Sequence, residues 1–155
     1  MEIADLLAGP DAVLACVKAS GKKALLAELA AKAAALYKLD ERRLFDRLLE
    51  RERLGSTGIG GGIAIPHGRM AGIDKPVGLF ARLGHPVDFD SIDERPADTV
   101  FLLLAPEGAG ADHLKALARV SRLLRDRGIC DKLRGTDKAD AIYALLTDST
   151  ASRAA

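Results

Sequence analysis

A chain of 155 residues, 48% hydrophobic and 29% charged, has the material for one ordinary globular domain with a real core. Twenty-three Lys and Arg against 22 Asp and Glu leave a formal charge of +1, so bulk electrostatics supplies no attraction to nucleic acid or to an anionic membrane surface. No apolar run reaches the length of a membrane span, and the opening MEIADLLAGPD carries acid where a secretory peptide carries base, so a cytoplasmic protein without membrane insertion is expected.

In chain order, residues 11–17, DAVLACV, are short and β-compatible, and Ser20 stands as an N-cap ahead of the helical stretch KKALLAELAAKAAALYK. Asp40 is placed to cap a second helix, with Leu44, Leu48 and the offset pair Phe45 and Leu49 as its apolar stripe and Arg42, Arg43, Arg47 and Glu50 outward. A glycine-rich segment follows, and then three strand-like runs: IAI (63–65), PVGLFARL (76–83) and DTVFLLLAP (98–106). The last is continuously apolar and stopped by Pro106, which predicts a central strand covered on both faces. A helical pattern returns from Asp112 to Arg127, with Leu114, Leu117, Val120 and Leu124 on one side, and a shorter helix is expected around DKADAIYALL. The sum is an α/β domain over residues 2–148, a sheet covered by helices, followed by a small polar tail, 149–155, expected to be frayed. Cys16 and Cys130 have no metal-binding or redox spacing and are expected to be two buried thiols.

The segment GSTGIGGGIAIPHG (55–68) contains six glycines, which calls for tight turns, close approach of a ligand, or both. It is not a Walker loop, because residue 61 is glycine where lysine is required. Nor is it a dinucleotide fingerprint, since Ile63 is too large for the third small position and a helix precedes it rather than a strand. Consecutive glycines can still turn several backbone N–H groups into one concavity suited to an anion, with Gly60, Gly61 and Gly62 as the cradle and Ser56 and Thr57 as hydroxyl donors. Pro66 is expected to end the preceding strand, leaving His67 projecting from its end with only Gly68 beside it. With an ordinary pKa near 6.5, a histidine there keeps a lone pair at neutral pH and is a candidate phosphoryl acceptor.

RERLGSTGIGGGIAIPHGR resembles the active-site segment of the nitrogen-type IIA proteins of the phosphoenolpyruvate phosphotransferase system, relatives of the mannitol- and fructose-type IIA domains. The likeness continues through HPVDFDSIDERPADTVFLLLAPEGAGADHLKALARVSRLL and covers most of residues 3–147. It implies the IIA fold, a mixed sheet flanked by helices on both faces. It implies that His67 carries the phosphoryl group on Nε2, that His113 helps hold the phosphoryl oxygens, and that Arg51 lies close by, with Arg53 a competitor for that place. Gly61 departs from the pattern, which has glutamate in sugar-type members and usually asparagine in nitrogen-type ones. Asp112 would cap the helix that His113 opens, adding N–H groups that favour a dianion.

The resemblance further implies a carrier rather than a free-standing metabolic enzyme. Its donor would be an HPr-like phosphocarrier protein, and its targets regulators such as those of potassium transport or nitrogen metabolism. No cofactor is called for, and two histidines without a third ligand make a poor zinc site. His85 has no motif around it and is expected in a turn. Two other readings stay open: a IIA subunit of a sugar-transport system passing phosphate to a IIB cysteine, and a binding module that has lost phosphotransfer.

Overall fold

The computed structural model describes residues 1–148, and the expected tail, 149–155, lies outside the described residues. After short 3-10 turns at Ile3–Asp5 and Pro10–Ala12 come β1 (Val13–Val17), α1 (Lys22–Tyr37) and α2 (Glu41–Leu54). Then follow β2 (Gly58–Gly60), β3 (Ile63–Ala64), β4 (His67–Met70), β5 (Val77–Val87) and β6 (Ala97–Pro106). Three helices close the domain: α3 (Ala111–Leu124), α4 (Arg127–Arg134) and α5 (Ala139–Thr147).

β6 organises the sheet. Its residues 99 to 105 are all buried, as the unbroken apolar run predicts for a strand covered on both faces. The order is β1-β5-β6-β3-β2, with β4 also paired to β6. β5 runs antiparallel to β6, whereas β1 is parallel to β5, and β3 and β4 are parallel to β6, so the sheet is mixed. Phe80 and Phe101, opposite one another in the β5–β6 register, meet edge to face at 6.5 Å. α1 and α2 pack on each other and on β5 and β4, while α3 and α5 lie along β6 and β1 with α4 between them. No described helix is long and apolar enough to cross a membrane.

The chain beside His67 differs from the expected strand end. Pro66 has no N–H to donate, yet its carbonyl accepts from Leu103 N at 3.0 Å, so the backbone stays against β6. β3 pairs with the start of β6 (Ile63↔Thr99) and β4 resumes further along it (His67↔Leu103). His67 therefore opens a strand rather than hanging from the end of one.

Asp40 does cap α2, its carboxylate accepting from Arg43 N at 3.0 Å. Asp40→Ala should lower stability by about 1 kcal/mol, read as a lower urea midpoint with an unchanged slope. Leu44 and Leu48 are buried on the predicted stripe. Ser20 is not the cap of α1: Gly21 holds that position in extended backbone, its carbonyl accepting from Leu25 N.

α3 is rotated from the expected face. His113, Ala116, Val120, Leu123 and Leu124 face inward, and Leu114 stands 65% exposed. Both stripes contain Val120 and Leu124, so periodicity alone could not choose between them; the small Ala116 suits the side that meets β6. The N-cap is Gly110, with Asp112 inside the first turn. The helix stops at Leu124 because Asp126 starts a new one, α4, absent from the sequence reading, by accepting from Ile129 N at 3.2 Å. Cys16 is exposed rather than buried, and His85 lies in the irregular far part of β5 rather than in a turn. Cys130 is buried, its thiol donating to Leu124 O at 3.1 Å.

Candidate functional site

The IPHG turn settles which nitrogen of His67 is free. Nδ1 lies 2.8 Å from the carbonyl oxygen of Ile65, so it carries the proton and donates it there. The lone pair is left on Nε2, which receives a hydrogen bond from Arg51 Nε–H at 3.3 Å. Arg51 is held in turn at its helix end, where Nη1 donates to Gly55 O at 2.9 Å. Burial lowers the pKa of His67 below its ordinary value; the Ile65 carbonyl opposes this and the Arg51 charge adds to it. At neutral pH the ring is uncharged.

His113 arrives from the first turn of α3, and its ring centroid stands 5.5 Å from that of His67 with the planes tilted by 46°. It is only 7% exposed, and its Nδ1 is buried with no hydrogen-bond partner among the described residues. Burial, then the neighbouring charges of His67 and Arg69, lower its pKa as well. The cleft above the pair measures 370 Å³ and is bordered by Arg47, Arg51 and Arg69, with Glu50 the one carboxylate on its wall. Uncharged imidazoles rimmed by guanidinium groups suit a dianionic group meeting a nucleophilic nitrogen.

Of the residues expected at the site, His67, His113 and Arg51 are brought together, and Arg53 is exposed and off the cleft wall. The five expected anion donors are elsewhere. Thr57 is buried, with its N–H and hydroxyl both on the Glu52 carboxylate, which Lys22 also pairs at 2.9 Å. Ser56 donates to Phe89 O and accepts from Gly58 N. Gly60, Gly61 and Gly62 turn at the β2–β3 hairpin, which lies against the start of β6, about 13 Å along the strand from His67. The Gly61 amide does bind an anion, but an internal one: the Asp93 carboxylate, at 2.8 Å. The Arg51-Glu52 pair thus divides its work, Arg51 reaching the imidazole and Glu52 fixing the chain that leads away from the helix.

Arg47 and Arg69 were missed as wall residues, although each had a signal. Arg47 precedes Arg51 by one helical turn and so shares its face. Arg69 is two residues beyond His67 on a strand and so shares its side.

The two lowered pKa values carry a sign for stability. The unfolded chain takes up protons near pH 6.5 while the folded rings resist them, so the contribution is complete above about 6.5 and is lost as pH falls toward the folded values. The urea midpoint should therefore drop between pH 7.5 and 5.5, and His67→Gln/His113→Gln should flatten that drop.

A six-stranded mixed sheet with helices on both faces, carrying two facing histidines in an arginine-rimmed cleft, defines a small α/β domain of the phosphotransferase IIA type. The chain belongs to the family described as phosphoenolpyruvate-dependent sugar phosphotransferase system, EIIA 2, whose model matches residues 7–149. It is 58% identical over 146 residues to the nitrogen regulatory protein of Bradyrhizobium diazoefficiens, covering 94% of this chain and 95% of that one. To the nitrogen regulatory protein of Pseudomonas aeruginosa it is 39% identical over 140 residues, covering 90% and 91%. The crystal structure of nitrogen regulatory protein IIA-Ntr from Neisseria meningitidis superposes with a TM-score of 0.86 at 34% identity, covering 94% of this chain and 99% of that chain.

Proposed function

We propose that this chain is a cytoplasmic phosphoryl carrier that accepts its group on Nε2 of His67 from an HPr-like phosphocarrier protein and regulates target proteins according to its phosphorylation state. The observation that carries this reading is the Nδ1–Ile65 hydrogen bond, which leaves Nε2 as the nucleophile inside a cationic cleft. In the transfer, Nε2 forms a bond to phosphorus as the bond between phosphorus and the donor breaks. The proton stays on Nδ1, donated to the Ile65 carbonyl, so the ring becomes positively charged as the Nε2–P bond forms and that carbonyl stabilises the charge. Arg51, already within reach of Nε2, turns its N–H groups onto the phosphoryl oxygens, and His113 offers a further N–H from its unsealed nitrogen.

Regulation of targets rests on the likeness to the two nitrogen regulatory proteins. Adding a dianion to a rim that carries exposed Leu54 changes the charge beside an apolar side chain, which alters what that surface can bind. Regulators of potassium transport or nitrogen metabolism are the partners in this reading.

The test is to incubate the protein with phosphoenolpyruvate, enzyme I and an HPr-type carrier and to follow intact mass. One acid-labile phosphoryl group is expected; no label would leave a binding module that has lost phosphotransfer. The sugar-transport reading is kept open by the family description itself. Onward transfer to a purified fructose- or mannitol-type IIB would favour it, and absence of that transfer favours regulation.

A further inference from the structure

The glycine hairpin, which His67 does not use, builds a second cavity. It measures 480 Å³ and shares no lining residue with the histidine cleft. Four arginines converge on it: Arg95 from the β5–β6 connection, Arg125 from the turn after α3, and Arg127 and Arg134 from the first and last residues of α4.

Arg134 is committed. Its Nε and Nη2 grip the Asp98 carboxylate at 2.8 and 3.0 Å, and Nη2 also donates to Gly61 O at 2.8 Å. This contact explains one of the glycines: at Gly62 (φ +83°) a Cβ would stand 2.8 Å from Arg134 Nη2 and 2.9 Å from Asp98 Oδ1, so the hairpin can approach the fork only without a side chain.

The other three arginines are exposed. Asp131 is the one carboxylate on the wall, and nearby Asp93 is held by the amides of Gly61 and Arg95. Ile63 and Leu124 give the cavity a buried apolar floor, and Ile59, 42% exposed, adds an apolar edge. The Arg95 charge acts on the Asp93 carboxylate, while among the described residues the side chains of Arg125 and Arg127 have no hydrogen bond or ion pair. Guanidinium forks converging on a concavity with an apolar floor match phosphate oxygens joined to a flat apolar group, and the volume lies within the ordinary range for small-molecule sites, about 300–1,000 Å³.

We propose that this cavity is a binding site for a small organic polyphosphate of the nucleoside diphosphate class, its phosphates on Arg95, Arg125 and Arg127 and its apolar group on Ile59, Ile63 and Leu124. The site is separate from the phosphorylated histidine and does not depend on it.

Calorimetric titration of the full chain with ADP and with inorganic pyrophosphate tests this. ADP should bind one to one, more tightly than pyrophosphate. Arg125→Gln/Arg127→Gln should raise its Kd about tenfold or more, whereas Arg51→Gln should leave it unchanged. Arg95→Gln, a change on a different part of the chain, should weaken binding in the same direction and guards against a folding defect in the double variant. Equal affinity for both probes would keep the phosphate site and overturn the place of the apolar group. The proposal is overturned if neither probe saturates, if binding survives the double variant but falls in Arg51→Gln, or if a glutamate-rich decapeptide binds there and ADP does not.

Discussion

His67→Ala is expected to take up no acid-labile phosphoryl group from an HPr-type carrier under conditions that label the wild type fully. The substitution removes the one imidazole nitrogen whose lone pair faces the cleft, since Nδ1 is occupied by Ile65 O. His113 does not substitute, because its Nδ1 is sealed in the interior and its ring is set back, 7% exposed. Cys16, though exposed, would give a thiophosphate, whose stability toward acid and base separates it from phosphohistidine. Intact mass before and after acid treatment reads the result, and full labelling of the variant would place the acceptor elsewhere.

His113→Ala should reach the same final labelling but far more slowly, by about 10²–10³-fold if the ring supplies one donor to the developing charge on the equatorial oxygens. Emptying a buried position also costs stability, about 0.5–3 kcal/mol, so the rate has to be compared at a temperature where both proteins are folded. His113→Gln keeps an N–H of comparable reach and should recover part of the rate. Recovery by glutamine but not by leucine would identify a hydrogen-bond donor; equal recovery by both would reduce His113 to packing.

Legibility was greatest where a pattern is local. β6 could be read from its unbroken apolar run, and α2 from Asp40 and the Leu44/Leu48 repeat. It was poorest where two patterns fit one segment. The apolar positions of α3 allowed two faces, and the choice of the face carrying His113 exposed Leu114 and created the paired-histidine cleft. α4 was hidden because Asp126 looks like one more polar residue in a continuing helix until it accepts from Ile129 N.

The glycines show the same division. Their positive φ values at 60, 61 and 62 follow from residue type, and a turn there was foreseeable. That the turn would face Arg134 and Asp98 rather than His67 was not, because the choice depends on which stretch of β6 each short strand joins.

The sequence alone determined the Asp40-capped helix that ends beyond Arg51, the unbroken apolar strand β6, and a histidine set directly after Pro66, because caps, turns and periodicities act over a few residues. Tertiary structure alone decided that His113 should lean over His67 and that the glycine hairpin should serve a different cavity. Strand register and helix rotation are set by burial against distant segments, and such distant pairings leave no mark on the local pattern.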